Sequence, residues 1–117
     1  MRIAIDADGT IFGSKIEHNV GELLKGAKDA LETLKSWGCY IIIWSCRNSL
    51  YDKNEEARNL YIYTLKTALD NHNLPYNEID YGVYGKIPAD VYIDDSAIEF
   101  NGDWPTVIEK IKSKLNG

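Results

Sequence analysis

The run Tyr40-Ile41-Ile42-Ile43-Trp44 restricts the fold of this chain more than any other stretch. It is a continuous β-branched and aromatic segment with no polar residue at alternate positions. Such a segment forms a strand buried on both faces, as happens inside a parallel sheet. Parallel strands need crossover connections, and helical patterns flank this run on both sides. Residues 26–37 carry Ala27, Ala30, Leu31 and Leu34 at helical spacing, with Lys28, Asp29, Glu32 and Lys35 opposite. Gly38 then stands where a left-handed C-terminal residue belongs. A second helix is expected from Asn54 to Asn71, with Ala57, Leu60, Tyr61, Thr64, Leu65, Ala68 and Leu69 as its inner stripe. A third follows the Asn101-Gly102 turn, with Asp103 as cap, Pro105 in its first turn, and Val107, Ile108, Ile111 and Leu115 facing inward.

The remaining strands are Arg2 to Asp6, a short one at Tyr81-Gly82-Val83-Tyr84, and a buried one at Val91-Tyr92-Ile93-Asp94. Residues 11–20 have mixed polarity and no period, and read as a loop or small hairpin over the end of the sheet. Gly85 to Asp90 is a second loop, in which Pro88 stops regular structure. Strands alternating with helices specify an α/β domain with a mainly parallel sheet. Right-handed crossovers bring the strand C-termini to one edge, and ligands of such sheets bind there.

Composition narrows the class. The length of 117 residues fits a single domain, residues 1–117. No apolar run approaches a membrane span, so no membrane association is expected. The opening Met1-Arg2-Ile3-Ala4-Ile5-Asp6 meets an acid too soon for a signal peptide, so a cytoplasmic location is expected. The net charge of −5, with Lys and Arg scattered, gives no basic stripe, and stable nucleic-acid binding is not expected. The two cysteines, Cys39 and Cys46, bracket the Tyr40 strand, which holds them roughly 23 Å apart. That is too far for a disulfide and suits a reducing compartment. Cys46 is not a cysteine-phosphatase nucleophile, because Asp52 stands where that loop needs an Arg.

The strand ends carry the chemistry. The first strand ends in Asp6 and Asp8, the second in Ser45 and Arg47, and the last in Asp94 and Asp95, with Lys86 in the loop before it. One polar strand end means little; four converging on one edge make a site. Asp6, at the end of a buried strand, is held rigidly enough to attack phosphorus and form an aspartyl phosphate. Asp8, two residues on, points the same way; it can protonate the leaving oxygen and then deprotonate the attacking water. Acids beside a phosphate repel it, so a Mg²⁺ held by Asp6 and by Asp94 or Asp95 is expected. Lys86 would add a fixed positive charge. Ser45, with nearby backbone N–H groups, would hydrogen-bond the phosphate, and Arg47 is a further phosphate candidate.

These residues resemble the motifs of the haloacid dehalogenase superfamily, mostly phosphatases with a Rossmann-like core. Asp6-Ala7-Asp8-Gly9-Thr10 is similar to its first motif, Ser45 to its second, Lys86 to its third, and the acidic pair of Ile93-Asp94-Asp95-Ser96 to its fourth, in the family's order along nearly the whole chain. The resemblance implies a three-layer, Rossmann-like sandwich. It implies catalysis by Asp6, Asp8 and Lys86, and a Mg²⁺ held by Asp6, the backbone carbonyl of Asp8, Asp94 and Asp95, with Asp95 the direct ligand of the last pair. It also implies a phosphate site made by Thr10, Ser45, Cys46, Arg47 and Lys86. Neither gap that could host the family's cap domain is long enough, so the chain resembles a capless member. Such members act on large substrates or use a neighbouring subunit as a lid, which makes a homo-oligomer an expectation. Asp8 directs the resemblance to the phosphatases, acting on a phosphorylated small molecule or a polymer end. Glu99 departs from members that have a further Asp there.

Other readings compete. Asp-x-Asp-Gly by itself is a turn or a calcium-loop fragment, but EF-hand loops need flanking helices and a mid-loop glycine, where this chain has Ile11. A receiver-type phosphoacceptor would place its phosphorylated Asp on a middle strand and its Lys on the last. A binding or regulatory protein that keeps the fold without turnover is the remaining alternative. His18 and His72 show no partner in sequence, and the eight tyrosines read as half-buried surface and interface residues.

Overall fold

The computed structural model describes residues 1–13, 20–45, 54–80, 82 and 85–117. Within them the elements run β1 (Arg2–Asp6), α1 (Ala27–Ser36), β2 (Tyr40–Trp44), α2 (Glu55–Asn71), β3 (Glu78–Ile79), β4 (Val91–Ile93) and α3 (Trp104–Asn116). The four strands form one parallel sheet in the order β3-β2-β1-β4. This is a small α/β, Rossmann-like fold, and no cap domain is inserted among the described residues. No helix among them is long and apolar enough to cross a membrane.

The Ile-rich run does what its composition demands. Ile41, Ile42 and Ile43 are fully buried, with β1 on one side and β3 on the other. Strand alternation sends Ile3, Ile5, Ile41 and Ile43 to one face, where Leu31 of α1 and Tyr61, Leu65 and Leu69 of α2 cover them. Ala4 and Ile42 point to the other face, under Ile87 of the 85–90 loop. Residues of α1 and α2 pack on the same face of the sheet, as two successive crossovers in the same direction are expected to place them. The Asn54 side chain accepts a hydrogen bond from the Ala57 N–H at 3.0 Å and so starts α2. Gly38, at φ +77°, ends α1 as expected.

Several expectations change. The short third strand is Glu78–Ile79; Tyr81, Val83 and Tyr84 lie outside the described residues. The last strand is not buried: Val91, Tyr92 and Ile93 are 36–40% exposed. A run of apolar residues cannot distinguish an inner strand from an edge one, and the strand order puts β4 at the edge. In α3 only Val107 is buried, whereas Ile108, Ile111 and Leu115 are exposed. At its start the Asp103 carboxylate accepts from the Thr106 hydroxyl rather than from a backbone N–H. Leu60 and Ala30 are exposed, and Ile62 is buried instead. Tyr61 is fully buried, against the half-buried setting expected of the tyrosines. Of the expected 11–20 loop or hairpin, residues 14–19 lie outside the described residues; at its start Phe12 pairs antiparallel with Leu23, and the Gly13 N–H donates to the Glu22 carbonyl at 2.7 Å.

Candidate active site

β1 and β4 are neighbours, but the chain leaves β1 for β2 on one side and enters β4, on the other side, from β3. Their C-terminal ends therefore open the crevice at which parallel α/β sheets bind ligands. Asp6 is the last residue of β1, and Asp94 and Asp95 follow the last residue of β4. The pairing Ile5↔Ile93 brings these ends level.

The turn after β1 is held by its own backbone. Ala7 N–H extends the ladder to the Trp44 carbonyl at 2.9 Å, and Ile11 and Phe12 N–H both donate to the Ala7 carbonyl. Gly9 N–H donates to the Phe12 carbonyl at 2.8 Å, with Gly9 at φ +85°. Glycine is needed here twice over. Its dihedral disfavours any side chain, and a Cβ would lie 2.4 Å from Asp95 Oδ2. Asp95 is thus packed against the bare backbone of the first acidic turn.

Asp6, Asp94 and Asp95 each bring a carboxylate oxygen into one group whose members all lie within 4.8 Å of one another. Asp6 is buried, Asp94 half-buried and Asp95 exposed. Burial, followed by the charges of Asp94, Asp95 and Asp8, pushes the Asp6 carboxyl up to about 7, against a weaker pull from the Ala7 N–H. Repulsion of this kind is what a bound cation offsets, and three carboxylate donors could hold a hard divalent cation. Ser96 braces the pair, its N–H donating to Asp94 Oδ1 at 2.7 Å and its hydroxyl to Asp95 Oδ1 at 3.1 Å.

The Asp8 side chain belongs to a different set of contacts. Its Oδ2 accepts from the Ser45 hydroxyl at 3.0 Å and from the Tyr61 hydroxyl at 3.1 Å. Ser45, expected to face a phosphate, is buried and donates its hydroxyl proton to Asp8. Thr10 Oγ1 is a buried oxygen with no hydrogen-bond partner among the described residues. Lys86 is exposed, its Nζ 4.6 Å above the Tyr92 ring. It lines a cavity of about 950 Å³ together with Trp44, Ser45, Tyr92, Asp94 and Glu99. Lys86 and Glu99 therefore share a wall with two site residues, beside the acidic cluster. Cys46, Arg47 and His18 lie outside the described residues. His72 is exposed, its ring 6.2 Å from that of Phe12.

Tyr61 is the site residue that sequence reasoning missed. It was visible only as one member of the apolar stripe of α2. The available signal was chemical: a tyrosine on a core-facing stripe must find a partner for its hydroxyl. The early turns of α2 follow the C-terminal end of β2, where such partners stand.

No family model and no curated protein matches the chain. Among solved structures it is similar to a conserved protein from Bacteroides thetaiotaomicron, at 29% identity and a TM-score of 0.58, covering 97% of this chain and 91% of the other. It is also similar to a structural-genomics target from Vibrio cholerae, at 22% identity and a TM-score of 0.54, covering 97% and 98% of the two chains. The second likeness is one of fold alone.

Proposed function

We propose that this protein is a Mg²⁺-dependent phosphomonoester phosphatase that works through an aspartyl phosphate on Asp6. The observation that carries the reading is the convergence of Asp6, Asp94 and Asp95 within 4.8 Å at the β1/β4 switch point, with the Asp8 carboxylate held separately by two hydroxyls. The motif order resembling the haloacid dehalogenase superfamily supports it. Asp6, Asp94 and Asp95 would hold the ion, which when bound would keep Asp6 ionised and orient the phosphoryl oxygens.

The chain's own residues supply the rest. A carboxylate oxygen of Asp6 attacks phosphorus, the bond from phosphorus to the ester oxygen breaks, and Asp8 gives that oxygen its proton. Asp8 then takes a proton from water as the water attacks the phosphorus of the aspartyl phosphate. The bond from phosphorus to Asp6 breaks and inorganic phosphate leaves. Burial keeps Asp6 rigid, and the Ser45 hydroxyl, which donates to Asp8, would turn to a phosphoryl oxygen when substrate binds. Lys86, on the wall of the adjoining cavity, would bring positive charge to the substrate side. Phosphate release from a panel of aryl and metabolite phosphates tests the reading. Release should require Mg²⁺, stop with chelator and be lost in Asp6→Asn; release that survives Asp6→Asn would refute the mechanism.

A further inference from the structure

We infer that Tyr61 is a positioning residue that holds the Asp8 carboxyl in place for proton transfer to the leaving group. The inference rests on the phosphatase reading and deepens it. Three oxygens form a closed triangle. Tyr61 OH is 3.1 Å from Asp8 Oδ2 and 3.1 Å from Ser45 Oγ, and Ser45 Oγ is 3.0 Å from Asp8 Oδ2.

Proton counting shows why the tyrosine matters. The two hydroxyls carry one proton each. With both donated to Asp8 Oδ2, that oxygen is fixed and the transferred proton is left to Oδ1. When a phosphoryl oxygen draws the Ser45 hydroxyl away, Tyr61 still donates to Oδ2. Without the phenol, Asp8 would lose that hydrogen bond and hold its orientation less firmly when substrate arrives. The tether is stiff because its base is stiff. The Tyr61 ring is fully buried in the cluster that contains Phe12, Ile43 and Leu65. Phe12 also holds the turn that carries Asp8, through its hydrogen bonds to Ala7 and Gly9. Ring and carboxylate are thus anchored to one packed unit, which is how a proton donor is kept within reach of its target.

Leaving-group dependence separates this role from a purely structural one. Phenyl phosphate and 4-nitrophenyl phosphate have similar shapes, but the nitrophenolate leaves with little need of a proton. For wild type, Tyr61→Phe, Asp8→Asn and the double variant, kcat/KM is measured on both substrates; it reports the step in which the ester bond breaks. Both rates come from one preparation, so their ratio does not depend on how much of a variant is folded. Tyr61→Phe should lower kcat/KM for phenyl phosphate by about tenfold and for 4-nitrophenyl phosphate by less than about threefold. Asp8→Asn should show the same selectivity with a larger loss, and adding Tyr61→Phe to it should cost nothing further. An unchanged substrate ratio in Tyr61→Phe, or a full extra loss in the Asp8→Asn background, overturns the inference while leaving the phosphatase reading intact. Wild type that releases phosphate from neither substrate, or release untouched by Asp6→Asn, overturns the phosphatase reading and this inference with it.

Discussion

Replacing Asp6, the proposed nucleophile, should stabilise the metal-free protein, and by an amount that depends on pH. Asp6 is buried beside three other carboxylates, and its carboxyl is raised from 3.8 to about 7. A raised value means that the folded state holds this proton more tightly than the unfolded state does. The stability it contributes is complete below pH 3.8, is lost as pH rises, and is fully lost above about pH 7. Each unit is worth about 1.4 kcal/mol, so the wild type should lose about 3 kcal/mol through this group between pH 5 and pH 8. Asp6→Asn keeps the shape and removes the titration. In chelator, the stability of Asp6→Asn minus that of wild type should therefore grow by about 3 kcal/mol over that interval, or about 10 °C in melting temperature. Urea unfolding of both proteins at the two pH values measures it, and groups that titrate alike in both cancel. Saturating Mg²⁺ should close the gap at pH 8, because it binds the folded wild type and relieves the same repulsion. A difference that stays flat or shrinks with rising pH would refute the electrostatic account of the cluster. A difference that grows as expected would mean that the variant trades the proposed activity for stability, as functional sites built from like charges do.

Two further outcomes follow from particular contacts. Gly9→Ala should push the Asp95 carboxylate aside, because the new Cβ would fall 2.4 Å from Oδ2 at a backbone dihedral of +85°. The shift in melting temperature on adding Mg²⁺ should fall well below that of wild type, and an unchanged shift would show that Asp95 is not a ligand. Leu65→Ala empties a fully buried position between α2 and the sheet and should cost about 2–5 kcal/mol in urea unfolding. A loss under about 1 kcal/mol would mean that α2 does not pack as described.

The resemblance to a phosphatase superfamily came from residues that lie far apart in the chain, and the fold brings three of those acids together. Asp6, Asp94 and Asp95 come together because β1 and β4 pair in parallel with Ile5 opposite Ile93. Asp8, although two residues from Asp6, turns instead to Ser45 and Tyr61. Which neighbour a carboxylate meets depends on the turn between them, and sequence spacing does not supply that geometry.

The chain's local pattern by itself determined β1, β2, α1 and α2 nearly to the residue, because continuous Ile runs and 3.6-residue periodicity are local signals. It also determined the acidic composition of the strand ends at Asp6-Ala7-Asp8 and Asp94-Asp95. Only the tertiary structure decided which strand is an edge, and so why Val91, Tyr92 and Ile93 are exposed although they read as core. It likewise left Ile108, Ile111 and Leu115 uncovered on α3, since a helical stripe records apolar residues but not whether anything packs on them. And it alone brought the Tyr61 hydroxyl to Asp8 across 53 positions of chain, because burial of an apolar stripe fixes a ring's direction only once the sheet beneath it is in place.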